Sequence, residues 1–383
     1  MKSVNNAMKI SLKACGIILS GMIIYLQGCT SSSKSGSDFD VSLQEAESLY
    51  IPLDSCTSQT TNYIQVIDDS HIAFLNVPNY DICVYDIDQN ETSKIQLYKD
   101  GPDKVTGVDA FCIVSPDSVW LYSSWGRVVT RVNDKGEVLE SHQVIEPVDS
   151  KYSVLPYPMT SNLYVVQESR HILHGMSGPM VEGQRPAVTL IYDTESETVT
   201  EGNQYPAVYG SAKDLSSNWS VFGYLLSAYD LMPSGLFLTS FAASDSLYVY
   251  NPEDNSQKAF FAGYSSPVKV HKGPNSSREA EFVNHIEYSQ YGGVFYDAEN
   301  DVYYRLLRLP LESYDKDDLR NEIRRKPIAV IILDGELNKI GETVLPQDSY
   351  NPSNTFVTSA GLHVNVESQD DDLMKFRVFK LLK

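Results

Sequence analysis

The chain lacks the short motifs that announce a catalytic centre. It has no Gly-x-Ser-x-Gly elbow, no phosphate-binding glycine loop, no His-Glu-x-x-His and no Cys-x-x-Cys, so nothing in it points to those nucleophilic, nucleotide or zinc chemistries. Cation is also short, with 30 lysines and arginines against 50 acids and a formal charge of -20. Such a surface repels phosphate backbones and anionic headgroups, which argues against nucleic-acid binding and polybasic membrane attachment. Five cysteines in 383 residues make no disulfide framework. Cys83 and Cys112 sit in apolar runs where a thiol packs as a small hydrophobe, and no disulfide is indicated. No cofactor is implied.

What the sequence does have begins at its N-terminus. Lys9 and Lys13 precede an apolar stretch from Ala14 to Leu26, which is signal-peptide length and short of the ~20 residues that span a bilayer. It ends in Leu26-Gln27-Gly28-Cys29, which resembles the bacterial lipobox, whose cysteine is acylated after cleavage. Residues 1–28 are therefore read as a lipoprotein signal peptide, Cys29 as the lipidation site, and the membrane as a partner through that lipid. An ordinary signal peptide with an incidental cysteine is the alternative. Loss of Lys2, Lys9 and Lys13 with the signal takes the formal charge from -20 to -23. Residues 29–45, opening Thr-Ser-Ser-Ser-Lys-Ser-Gly-Ser after the cysteine, read as a flexible tether.

Beyond the tether, β-branched and aromatic runs break five times at a polar turn before another short strand. The turns fall at Asp86–Asn90, Asn133–Gly136, Asp193, Asn251–Asn255 and Asp334–Gly335. Counted from Asp86, Asp134, Asp193, Asn251 and Asp334, they lie 48, 59, 58 and 83 residues apart. Each interval leaves room for two more strands, which makes a four-stranded propeller blade. The C-terminal stretch supplies only three strands of a sixth blade. Leu49 to Leu53 can supply the fourth, and Pro52 suits an edge strand because proline has no N–H to give a ladder. The expected fold is all-β: residues 46–383 as a six-bladed propeller, its ring closed by N- and C-terminal strands in one blade. A seven-bladed ring or a β-sandwich pair are the alternatives. One helix is expected at Asp315–Lys326, from the Leu319/Ile323 pair, the Glu322/Lys326 ion pair and the stop at Pro327.

Tyr296-Asp297 followed by Tyr303-Tyr304-Arg305 resembles the hairpin of a Bacteroidota lipoprotein family with a TolB-like six-bladed propeller. The segment from Asp100-Gly101-Pro102-Asp103 to Gly107 is similar to the Gly-Pro connection of such proteins. The resemblance implies a fold and an envelope address, and it supplies no catalytic residues. Surface-displayed lipoproteins of that phylum carry acids close behind the acylated cysteine. Here the first acid is Asp38, so the periplasmic face of the outer membrane is expected, with the cell surface as the alternative.

Seven residues are candidates for ligand binding. Arg305 shares a strand face with Tyr303, and a guanidinium beside aromatic rings suits a carboxylate or sugar acid; the competing role is an arginine that ties adjacent blades. Trp125 and Arg127 lie at a turn between middle strands of the second blade, where propellers place ligand contacts around the channel mouth. Arg170, His171 and His174 fall in a stretch read as an extended loop running to Pro186. The two histidines are spaced for a metal, but no third ligand is evident, so no metal site is assigned. Lys269, His271, Lys272 and Arg278 form a small cationic island between the fourth and fifth blades. The expected function is a lipid-anchored envelope module binding a protein or glycan, without identified catalysis. A glycan lyase or hydrolase working at the channel mouth is the alternative.

Overall fold

The computed structural model describes residues 39–145, 152–177, 186–210, 222–271 and 277–383. The signal segment, Cys29 and most of the tether lie outside these residues, as does Lys272. The described chain forms six antiparallel sheets, five of them from strands in sequential order. Blade 1 covers residues 64–96, blade 2 residues 110–143, blade 3 residues 154–204, blade 4 residues 227–261 and blade 5 residues 290–344. Blade 6 holds Tyr350–Thr358, Gly361–Val366 and Leu373–Leu382, completed on its outside by Ser42–Glu45 and Leu49–Pro52. The fold is a six-bladed β-propeller.

All five polar turns join the third and fourth strands of their blades. They work because Asn90 and Asn255 adopt left-handed backbone at little cost, and Gly136 stands where a Cβ would lie 1.9 Å from the Gln96 carbonyl. Burial follows position in the blade. Ile328–Leu333 is covered on both faces by neighbouring blades, whereas Glu91–Gln96 at the outer rim is exposed except at Ile95 and carries polar side chains. The apolar cores lie between blades: Tyr63, Phe111 and Tyr164 join blades 1 to 3, while Tyr304, Val330 and Val364 join blades 5 and 6. Each such buried side chain contributes roughly 1.5–3 kcal/mol.

The closing strand lies where expected, with Leu49–Pro52 paired to Leu373–Phe376. Its reach is longer than Leu49–Leu53. Ser42–Glu45, within the stretch read as tether, pairs with Phe379–Leu382, and Leu43 N–H donates to Thr343 Oγ1 of blade 5 at 2.9 Å.

The expected helix at 315–326 does not form. Asp315 instead accepts from the N–H groups of Asp317 and Leu319, folding a tight turn, and only Ile323–Arg325 makes a single 3-10 turn. Leu319 is exposed, so its pairing with Ile323 has no apolar surface to cover. The helix of this region is Arg278–Glu287, capped by Ser277 Oγ accepting from Ala280 N–H, with Glu279 and Glu281 in its first turn. Arg170–Ser177 is likewise a strand, not a loop, paired with Ala187–Asp193.

Candidate functional site

The inner edge of blade 3 is broken. Val154–Pro156 and Val165–Gln167 pair with opposite ends of the same strand, and residues 157–164 leave the sheet between them. Pro156 and Pro158 account for the break, since neither can donate to a ladder. The excursion turns inward and fills the middle of the ring. Thr160 N–H donates to Asn62 O at 3.1 Å, and Thr160 Oγ1 accepts from Ile64 N–H at 3.0 Å, both in or beside blade 1. The same hydroxyl donates to Asn354 Oδ1 of blade 6 at 2.9 Å, and Tyr229 N–H of blade 4 donates to Ser161 O at 3.2 Å. One segment of blade 3 is thus bonded to blades 1, 4 and 6. It is a plug.

Above the plug, at the face carrying the connections between blades, lies a cavity of about 240 Å³. Met159 and Ser161 of the plug form its floor. The first residues of the inner strands of blades 4, 5 and 6 form its walls, Ser227, Gln290 and Pro352 among them. Its rim comes from His285 on the helix and from Arg308 at the end of Val302–Arg308. No aspartate or glutamate lines it among the described residues.

Positive charge collects here. Lys326 is buried with Nζ donating to the carbonyls of His285 at 2.8 Å and Tyr288 at 2.6 Å. Burial, together with the Arg308 charge, lowers its pKa to about 7. Burial also lowers Arg308 to about 10. His285 falls to about 4, from burial and then from the Arg308 and Lys326 charges, so at neutral pH it is an uncharged imidazole and a weak base. Tyr291 lines the cavity too, but its hydroxyl is turned away to accept from Tyr264 N–H at 3.3 Å. No carboxylate pair and no activated nucleophile converges among the described lining residues.

The residues singled out in the sequence do not meet at this cavity. Arg305 is fully buried, with Nε donating to Ser240 Oγ and its other nitrogens to the carbonyls of Ala262, Ser244 and Ser246. Its guanidinium lies 3.9 Å from the centroid of the Tyr291 ring. It ties blade 5 to blade 4 and faces no solvent, the competing role named from the sequence. Tyr303 is buried against Tyr296 at 4.8 Å, again away from the cavity.

Trp125 and Arg127 do occupy a turn between middle strands on the cavity's side of the ring. Trp125 is 91 % exposed, and neither residue lines the cavity. Arg170 sits at the opposite end of its blade in an ion pair with Glu253. His171 and His174, three apart on a strand, point to opposite faces. His171 packs between Trp120 and Tyr192 and bonds Tyr164, while His174 bonds Thr189 Oγ1 at 3.1 Å and Ser227 Oγ at 2.9 Å. Burial lowers them to about 4 and about 3, and they share no site. Of the cationic island, Lys269 lies over the Tyr288 ring and His271 bonds Asn284, both packed against the helix.

Arg308, His285, Gln290 and Lys326 carry no sequence signal that sets them apart. The usable clue is Arg308 itself, a second arginine three places after Arg305 and therefore on the other face of the same strand.

Fold and cavity together define a closed, plugged six-bladed β-propeller with a pocket at one mouth whose rim carries Arg308. A family model described as "Domain of unknown function (DUF4221)" matches residues 40–344, and the chain belongs to that family. The crystal structure of a family member from Bacteroides vulgatus is similar with a TM-score of 0.73 at 19 % identity, over 90 % of this chain and 99 % of that one. A putative exported protein from Bacteroides fragilis is similar with a TM-score of 0.54 at 10 % identity, over 89 % and 96 % of the two chains. Virginiamycin B lyase from Staphylococcus aureus has a TM-score of 0.44 at 14 % identity, over 88 % and 99 %, too low to equate the folds. No curated protein matches.

Proposed function

We propose that this protein is a lipid-anchored envelope propeller that binds a glycan or a protein group in the pocket above its plug. Cys29 carries the lipid, and the propeller faces the periplasm from the outer membrane. The reading rests on the pocket: a walled cavity whose floor is a bonded segment and whose lining offers hydrogen-bonding and cationic groups without a general acid–base pair among the described residues. Such a site can hold a ligand and has little means to transform one.

The test uses a variant that fills the pocket. Gly292 lies in its wall, and a Cβ there meets only ordinary contacts, the nearest 3.7 Å away at Leu306. Detergent-solubilised full chain is applied to an array of neutral and acidic oligosaccharides and envelope peptides, beside Gly292→Trp. Binding by the parent chain that Gly292→Trp abolishes, with an unchanged melting temperature, is the expected result. Ligand binding that survives Gly292→Trp would place the site elsewhere, and steady turnover of a bound oligosaccharide would favour an enzyme.

A further inference from the structure

Among the buried or half-buried arginines of the described chain, Arg308 stands apart. Arg305 has four acceptors, Lys326 two carbonyls, Lys339 the Glu342 carboxylate, and Arg377 both Glu45 and Asp348. The Arg308 guanidinium, half-buried at the pocket rim, has no acceptor among the described residues. A partly desolvated guanidinium without a counter-ion is unfavourable, and a bound anion would relieve it.

A second orphan stands beside it. Gln290 is 3 % exposed, and its Nε2 has no acceptor among the described residues. Gln290 and Arg308 are direct cross-strand partners, which puts both side chains on one face of the sheet. Two unpaired donors therefore adjoin at the wall of one cavity. No acid in the described lining offsets the Arg308 charge.

We propose that the pocket takes the carboxylate of a sugar acid, a hexuronate unit of a glycan, with Arg308 as its counter-ion and Gln290 as a further donor. This rests on the pocket being the ligand site. A guanidinium fork matches the two oxygens of a carboxylate. The rest of the lining suits the sugar: Ser161 and Ser353 present hydroxyls, and Met159, Leu226 and Pro352 offer apolar surface to C–H faces.

The experiment measures binding of a hexuronate disaccharide, its neutral counterpart and an acetylated dialanine to the solubilised full chain, with Arg308→Gln and Gly292→Trp in parallel. The hexuronate is expected to bind at least about tenfold tighter than the neutral sugar, and Arg308→Gln to remove that preference, as loss of a charge-assisted pair does. Equal affinity for the two sugars, or preference for the dipeptide, would overturn the assignment. If Gly292→Trp abolishes binding while Arg308→Gln leaves the hexuronate preference intact, the pocket stands and the carboxylate inference falls. If hexuronate binding survives Gly292→Trp, the pocket itself is wrong. A second measurement needs no ligand. Relief of an unpaired charge should leave the melting temperature of Arg308→Gln unchanged or raised, whereas Arg305→Gln, stripped of four bonds, should melt several degrees lower. A comparable fall for Arg308→Gln would make Arg308 structural and sink the proposal.

Discussion

The Thr160 hydroxyl in blade 3 donates to the Asn354 side chain in blade 6, 2.9 Å away on the opposite side of the ring. Asn354 in turn donates through Nδ2 to Thr61 O at 2.6 Å, beside blade 1. Blade 3 is therefore joined across the ring to blades 6 and 1 through one buried cluster of polar atoms, and the floor of the pocket inherits its rigidity from that cluster.

Asn354→Ala should cost about 1–3 kcal/mol, because it leaves the Thr160 hydroxyl and the Thr61 carbonyl unpaired in a buried place. Urea denaturation of the parent and variant checks the figure. An unchanged midpoint would mean that the plug is held by packing alone.

Ring closure depends on an edge strand whose one fully buried residue is Ile51, in a cluster with Phe74, Phe356 and Phe376. Ile51→Ala is expected to destabilise the protein by about 2–5 kcal/mol, the range for truncating a buried isoleucine. Removal of residues 49–53 should cost more, since it strips a ladder as well. Thermal melts of both variants test the latch, which has no such importance if the deletion melts like the parent.

Acid should unfold the protein from a fairly high pH. Burial lowers His171, His174 and His363 to about 4, about 3 and about 4. Unfolded, each takes up a proton near pH 6.5, so their stabilising contribution is complete above pH 6.5 and is lost as pH falls towards 4. Asp230 acts in the opposite sense. Burial raises it to about 6, so its contribution is present below about pH 4 and is lost as pH rises through 6. Each tenfold difference in proton affinity between the folded and unfolded chain is worth about 1.4 kcal/mol, so these histidines, with His285 acting in the same sense, outweigh Asp230 and leave a net loss of several kcal/mol on acidification. Melting temperatures measured from pH 7.5 to 4.5 should fall steadily, and His174→Gln should make the descent shallower. A flat profile would contradict the buried neutral state.

Cys29→Ser should release the protein from the membrane fraction. Fractionation of cells carrying the variant, with protease treatment of intact cells carrying the parent, reads both the lipid site and the side of the membrane. Retention of the serine variant in membranes would refute lipidation at Cys29, and digestion of the parent in intact cells would move it to the cell surface.

The repeat is legible in the sequence because its outer hairpins meet solvent. Their turns need Asp, Asn and Gly for backbone reasons, and the rim strands carry polar side chains, as at Glu91–Gln96. Inner strands are harder to place, since blades cover them on both faces and Ile328–Leu333 shows no alternation. The plug leaves no pattern at all. Its bonds join Thr160 to residues 96 and 194 positions away, which no local spacing encodes.

The site is hidden for a related reason. Arg305, beside two tyrosines, has the flanks of a binding residue, yet its aromatic neighbourhood is the interior between two blades. Arg308, with no aromatic flag, stands three residues further along, where the strand runs out beneath the mouth. The helix is misplaced on the same ground: the 315–326 segment has helical spacing but no apolar face to lie on, while the helix that forms starts at the cap that Ser277 supplies.

The latch also sets a timetable. Ser42–Glu45 and Leu49–Pro52 are made before the other described strands of the ring, and the strand they pair with, Leu373–Leu382, is made after them. Until that strand emerges, the leading strands have no ladder and Gly361–Val366 keeps an unpaired edge. Contacts so distant in sequence form slowly, because the chain loses loop entropy before it gains any pairing. Blades 1 to 5 can assemble in the order they are made, so the slow step should be the joining of the two ends, and a partly made chain should spend that interval with an open β edge that invites wrong partners.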